Sequence, residues 1–394
     1  MTIRPPSLPP LYAKKSPRTQ NCSEKYLVDL EQFEIINDNL KKGTIGLVNL
    51  VCFKRDQQTL AAKTSYLQFD EQNKPFISRE IRSLISVQHP TLIAYRGFSY
   101  KDFEGQNNLT ILMNYIRNIP LSDMIDNNIL SPSTFDNTKR QIILVGIARG
   151  MMILHKHHIV HQDLKPENIL LDKNYLPVIT DFGLTKIFNP YNKPIQSVQK
   201  SVTYLAPEII SGSKYNSKAD VYAFGIIMYE VLTGRRVQFG QNCEQSIHVN
   251  SQIKNGLKKM TLKCLSKSPN DRPTFSELFR KLSLQNDASI SDENDVIPVS
   301  EDDECAFGSL EFCMEKVDLE KLFWYVERII EETPIDKSRE ERSSLRDEMQ
   351  VLKMHNSEME RKITALEREN EMLRNEIMQM KSGNESSPQK VPKS

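Results

Sequence analysis

The chain has 394 residues, room for two or three domains, and balances 52 Lys plus Arg against 51 Asp plus Glu for a net charge of +1. That balance gives no argument for a nucleic-acid partner or an anionic membrane surface, and no apolar run approaches a membrane span. The six cysteines (Cys22, Cys52, Cys243, Cys264, Cys305 and Cys313) lack metal-ligand spacing, as expected for reduced thiols in a cytoplasmic protein.

Residues 1–25 read as a disordered basic, Pro-rich tail, with Arg4, Lys14, Lys15 and Arg18. Its "MTIRPPSLPP" has no apolar signal-peptide core, while "PPSLPP" suits the aromatic groove of a polyproline-binding partner. From Tyr26 the pattern is globular. Short β-type runs, "FEIIND" and "LVNLVCF", flank a glycine turn, and "TKRQIILVGIARGMMILHKHH" (138–158) then spaces its apolar residues three and four apart, as a helix does. Strands first and helices later predict an α+β fold in two lobes. The lobes divide near residues 113–117 and the domain ends near 285. Residues 286–316 read as an acidic linker, and the span 285–315 holds ten Asp or Glu and no Lys or Arg. An amphipathic helix is predicted over 317–333, with Leu319, Leu322, Phe323, Val326, Ile329 and Ile330 on one face.

Residues 338–381 carry a sevenfold repeat. Leu345, Leu352, Met359, Leu366, Leu373 and Met380 take one inner position, and Met349, Asn356, Ile363, Asn370 and Ile377 the other. In a parallel pair Glu348–Lys353, Lys362–Glu367, Glu369–Arg374 and Glu376–Lys381 are opposite in sign, and the two inner asparagines favour two strands in register. The expectation is a coiled-coil homodimer, with 382–394 a disordered tail.

The chemistry sits in "HQDLKPENILLD" (161–172) and the "DFG" that follows at 181–183. Phosphoryl transfer needs positioning, cations on the phosphate oxygens and an acceptor for the attacking hydroxyl's proton. Asp163 can orient and deprotonate a hydroxyl, Lys165 can meet the transferring phosphate, and Asn168 and Asp181 can hold Mg2+. A solvated polar loop is the plain alternative, but it does not require these unlike groups in this order.

"HQDLKPEN", "DFG" and "LAPE" (205–208), in sequence, resemble the protein kinase family. The resemblance spans residues 26–285 and implies a bilobal kinase fold, a β-rich N-lobe and a helical C-lobe, with ATP and Mg2+ as cofactors and proteins as substrates. "LKKGTIGLV" resembles the glycine-rich loop, with Gly43 and Gly46 at the second and third glycine positions and Lys41 at the first. Lys63 of "LAAK" is similar to the lysine that grips the phosphates, and Glu80 to the glutamate that pairs with it. Leu40, Val48, Ala61 and Leu170 would line the adenine slot. "MNYI", Met113, Asn114, Tyr115 and Ile116, resembles the hinge, with Met113 as gatekeeper. Arg272 would pair with Glu208, and Asp220 would steady the catalytic loop.

The "DLKPEN" form implies a serine/threonine kinase, and "VDLEQFEIIN" and "SPNDRPTF" look like the tyrosine-kinase-like branch. Gln162 departs from the family's arginine. A neutral amide cannot make a bidentate pair with an activation-loop phosphate, so activity is expected to depend less on phosphorylation of Thr185, Ser197, Ser201, Thr203 or Tyr204. The alternative reading is a pseudokinase scaffold or an adaptor acting through the coiled coil.

Overall fold

The computed structural model describes residues 26–284 and 314–331, less 44–45, 69–70, 118, 128, 130–134, 185–186, 188–201, 238–252 and 315. The tail, most of the acidic linker, the heptad segment and Thr185, Ser197 and Ser201 therefore lie outside the described residues.

Five antiparallel strands form the first layer: β1 (Phe33–Lys42), β2 (Gly46–Phe53), β3 (Thr59–Gln68), β4 (Tyr95–Ser99) and β5 (Asn108–Asn114), in the order β1-β2-β3-β5-β4. Register decides what faces the cleft. Val48 lies opposite Lys63, and Ala61 opposite Met113. Because side chains alternate along a strand, Ala61 and Lys63 share a face, and their partners join them there. The other face buries Val51, Phe53, Leu60 and Leu112 with Phe33, beneath Val28 and Leu30. Gly46 is fixed by close approach, since a Cβ there would collide with the Thr64 carbonyl oxygen on β3. Helix α1 (Lys74–Ser86) lays Ile77, Ile81, Leu84 and Ile85 inward, the three-and-four spacing its sequence carries.

The second lobe is helical. Helix α2 (Leu121–Asp126) follows a short three-stranded sheet's first strand, β6 (Ile119–Pro120), which pairs with β7 (Ile169–Leu171) and through it β8 (Pro177–Ile179). Helix α3 (Asn137–Lys156), N-capped by Asp136, is buried along most of its length. After the short α4 (Pro207–Ile210), α5 (Ser217–Thr233) packs on α3, α6 (Asn255–Cys264) packs on α5, and α7 (Phe275–Leu282) packs on α3. Asn216 caps α5, Gly234 ends it with φ of 68°, and Thr274 with Glu277 forms a capping box on α7.

The amphipathic helix expected after the linker forms, and it is seated on the second lobe. Helix α8 (Leu319–Glu331) packs on α3 and buries Leu322, Phe323, Tyr325, Val326, Ile329 and Ile330. Polar contacts fix the approach. Met314 N–H donates to Gln141 Oε1 at 3.3 Å, and Asp318 N–H to Thr138 Oγ1 at 2.9 Å. At the far end His89 Nε2 and the Ile329 carbonyl lie 2.7 Å apart, while His89 Nδ1 accepts from the Thr91 N–H at 3.2 Å. That assignment makes His89 a neutral donor. Burial, then the nearby Arg149, pulls its pKa down to about 3, against the pull of the Ile329 carbonyl. No helix among the described residues is long and apolar enough to cross a membrane.

Candidate active site

The loop between α3 and β7 is assembled from below. Asp220 on α5 is buried and accepts three bonds: from the His161 N–H at 2.8 Å, from the Gln162 N–H at 3.1 Å, and across 2.9 Å from His155 Nε2. These bonds hold Gln162 at a φ of 68°, which a non-glycine residue adopts only when its surroundings require it. The next residues then turn into the cleft. Lys165 Nζ reaches both carboxylate oxygens of Asp163 at 2.7 Å, and Asn168 Nδ2 donates to Asp163 Oδ2 at 3.0 Å and to its carbonyl at 2.8 Å. With Nδ2 so committed, the Asn168 amide oxygen is the atom left for a cation.

Asp181 arrives from β8, also at positive φ (65°), and the Thr180 N–H ties its strand to the Asn168 carbonyl at 2.8 Å. The adjoining Gly183 has φ of 70°, and a Cβ on it would stand 2.8 Å from Leu84 Cδ2 on α1, so glycine is required twice over. Phe182 is fully buried and edge-on to Tyr95, whose hydroxyl donates to the Phe182 carbonyl at 3.2 Å. Lys63 Nζ lies 2.6 Å from Asp181 Oδ2. Burial opposes charge on Asp181, yet the Lys63 ammonium, with help from Lys41 and His161, holds its carboxyl below the ordinary range.

The resemblance pairs Lys63 with Glu80; the structure pairs Lys63 with Asp181 and brings the Glu80 carboxylate within 3.3 Å of Arg79. Glu80 stands on the half-buried side of α1. Side-chain pairing across a cleft depends on how α1 sits against the sheet, which no local pattern dictates.

The apolar side follows the strand register. Ala61 and Met113 are buried, Val48, Leu170, Tyr115 and Ile116 are half-buried, and Leu40 is 40% exposed. Asn114 donates its N–H to the Ala94 carbonyl at 2.9 Å and accepts from Arg96 Nε at 2.6 Å, which anchors the start of the connection between lobes. Gly43 donates to the Gly46 carbonyl at 2.9 Å, closing the turn between β1 and β2. The cleft-facing surface is apolar at Val48, Ala61 and Met113 and charged at Lys63 and Asp181. Lys63 and Asp181, each now the other's counterion, would be complemented by a phosphate and a cation respectively, and Asp181 with Asn168 offers hard oxygens of the kind Mg2+ prefers. The residues fit a metal-bound nucleotide.

A family model described as "Protein kinase domain" matches residues 36–282. The chain belongs to this family. A probable serine/threonine-protein kinase of Dictyostelium discoideum is 28% identical over 254 residues, 62% of this chain and 24% of its own length. Mitogen-activated protein kinase kinase 1 of Arabidopsis thaliana is 32% identical over 209 residues, 53% of this chain and 56% of its own. A leucine-rich-repeat receptor-like serine/threonine-protein kinase of Oryza sativa is 28% identical over 290 residues, 67% of this chain and 28% of its own. The chain thus matches between about a quarter and just over half of these relatives' lengths.

Two structural predictions for the kinase domain hold in detail. Arg272, fully buried, grips Glu208 through both nitrogens at 2.7 and 2.8 Å, and Asp220 organises the catalytic loop as described. A third centre was missed. Arg236, just past α5, gathers Asp126 of α2 at 2.8 Å, Glu167 of the catalytic loop at 2.7 Å and the Tyr204 hydroxyl at 2.6 Å. Tyr204 in turn donates to buried Glu230 at 3.0 Å. The sequence signal was only an arginine after a helix-ending glycine, with partners up to 110 residues away.

Proposed function

We propose that the chain is a Mg2+- and ATP-dependent protein kinase that transfers the γ-phosphate to serine and threonine hydroxyls of proteins in intracellular signalling. The observation that carries this reading is the convergence of Asp163, Lys165 and Asn168 on one turn beside the Lys63–Asp181 pair. Asp163, with its carboxylate held by Lys165 and Asn168, accepts the attacking hydroxyl's proton. Lys165 then neutralises charge at the transferred group, and Lys63 orients the phosphate chain. Bound Mg2+-ATP supplies the phosphoryl group. Lys165 two residues after Asp163, and the printed names of the relatives, support the serine/threonine class. A scaffold without catalysis would be expected to lack Lys63, Asp163 or Asp181, and all are present.

The purified 394-residue chain supplied with ATP, MgCl2 and a generic basic protein should incorporate phosphate on serine or threonine. Asp181→Asn should abolish transfer, because the cation loses its carboxylate. Asp163→Ala should cut turnover while ATP affinity persists. Undiminished transfer by either variant overturns the assignment.

The heptads of 338–381 support a parallel homodimer that raises the effective concentration of one kinase domain for the other. Sedimentation should give a dimer for the full chain and a monomer for residues 1–337, and a dimer surviving truncation removes the coiled coil from the account. Gln162 supports activity without activation-loop phosphorylation. Phosphatase-treated enzyme should keep substantial activity, and enzyme that is dead until rephosphorylated would contradict it.

A further inference from the structure

Lys41 is the penultimate residue of β1, opposite Val48 in the ladder, at the first glycine position of the nucleotide loop. Its Nζ crosses between lobes and donates to the backbone carbonyl of Glu167 at 2.9 Å, over a sequence separation of 126. The charges acting on this ammonium are Asp181, Lys63, Glu167 and Lys165, and all but Glu167 are groups assigned above to the phosphate or the cation. Desolvation of the ammonium sets its pKa below the usual lysine range. Asp181 opposes that shift, and Lys63 and Lys165 add to it.

Three ammonium groups within one cleft repel unless anions lie among them. Two are matched: Lys63 by Asp181 at 2.6 Å and Lys165 by Asp163 at 2.7 Å. Lys41 meets a neutral carbonyl. A carbonyl is a weaker partner for an ammonium than an anionic oxygen, and a four-carbon stem swings readily from one to the other. We infer that Lys41 is a third phosphate-positioning cation, leaving the Glu167 carbonyl for a phosphate oxygen of the nucleotide. In this role a residue that departs from glycine adds affinity for the charged end of the ligand and none for its base. The inference rests on nucleotide use by this cleft.

Binding to the full chain separates the possibilities. ATP and adenosine are titrated calorimetrically against the wild type, Lys41→Met and Lys41→Arg, each at low and high salt. Lys41→Met should bind ATP about tenfold more weakly, equivalent to ~1.4 kcal/mol, with adenosine little changed and a shallower salt dependence. Lys41→Arg should recover most of the loss. In turnover assays Lys41→Met should raise KM for ATP more than it lowers kcat. ATP affinity unchanged or increased in Lys41→Met would make Lys41 a latch between lobes and overturn the proposal. Equal weakening of ATP and adenosine would show a structural role only and also overturn it. A wild type that binds neither ligand would instead remove the nucleotide reading itself.

Discussion

Gly146 on α3 offers a test in which two known effects have opposite signs. Replacing glycine by alanine inside a helix should stabilise by ~1 kcal/mol. Here, however, the new Cβ would land on the Tyr325 hydroxyl of α8 and stand 2.5 Å from Pro177 Cγ and 3.1 Å from its Cδ. Tyr325 is 2% exposed and Pro177 is buried in β8, so neither can turn out into solvent. Overpacking of this kind costs ~1–3 kcal/mol. Contact with two well-backed groups places Gly146→Ala near the upper end, for a net loss of ~1–2 kcal/mol and a fall in Tm of ~2–8 °C for a domain of this size. Thermal unfolding of the full chain measures it. Adding Tyr325→Ala should erase part of the penalty, with a coupling of ~1 kcal/mol between the two positions. If Gly146→Ala raises Tm, or if the two changes simply add, α8 is not seated on α3 as described.

The neutral His89 predicts acid sensitivity. Its folded pKa of about 3 lies below the unfolded 6.5, so its contribution is complete above pH 6.5 and is lost as the unfolded state takes up a proton below it. At pH 5 the loss is ~2 kcal/mol by denaturant unfolding, and His89→Gln should flatten the slope in part, since buried His161 is shifted the same way. Arg236→Met leaves Glu230 buried and Glu167 without its partner. It should cost ~3–5 kcal/mol, and an unchanged midpoint would refute the network. A fragment ending at residue 285 exposes the α3 surface under Phe323 and Val326. It should unfold at lower temperature and be less soluble than one ending at 334, and equal behaviour of the two would contradict α8 as part of the domain.

What the sequence made legible is mostly what is local. Asp163, Lys165 and Asn168 fall within six residues, so a single short turn brings them together and their types state their chemistry. Strand alternation likewise carried Val48, Ala61, Lys63 and Met113 to one face. Contacts between lobes were not legible. That Lys63 meets Asp181, and that Lys41 reaches the Glu167 carbonyl, depends on the placement of whole elements. The apolar stripe of α8 could be read, but nothing in it names α3 as its cover, and Tyr325, buried with the stripe, was not among the residues read on that face.

The fastening of α8 also has a mechanical side. The chain continues beyond Glu331, so tension arriving from that direction meets the helix at its last turn. There the Ile329 carbonyl is tied to His89, in the segment between α1 and β4. His89 in turn is two residues from Thr91, whose carbonyl receives the Ile179 N–H just ahead of Asp181. A pull on the far end of the chain would therefore be delivered, within a few bonds, to the backbone beside the aspartate that Lys63 holds.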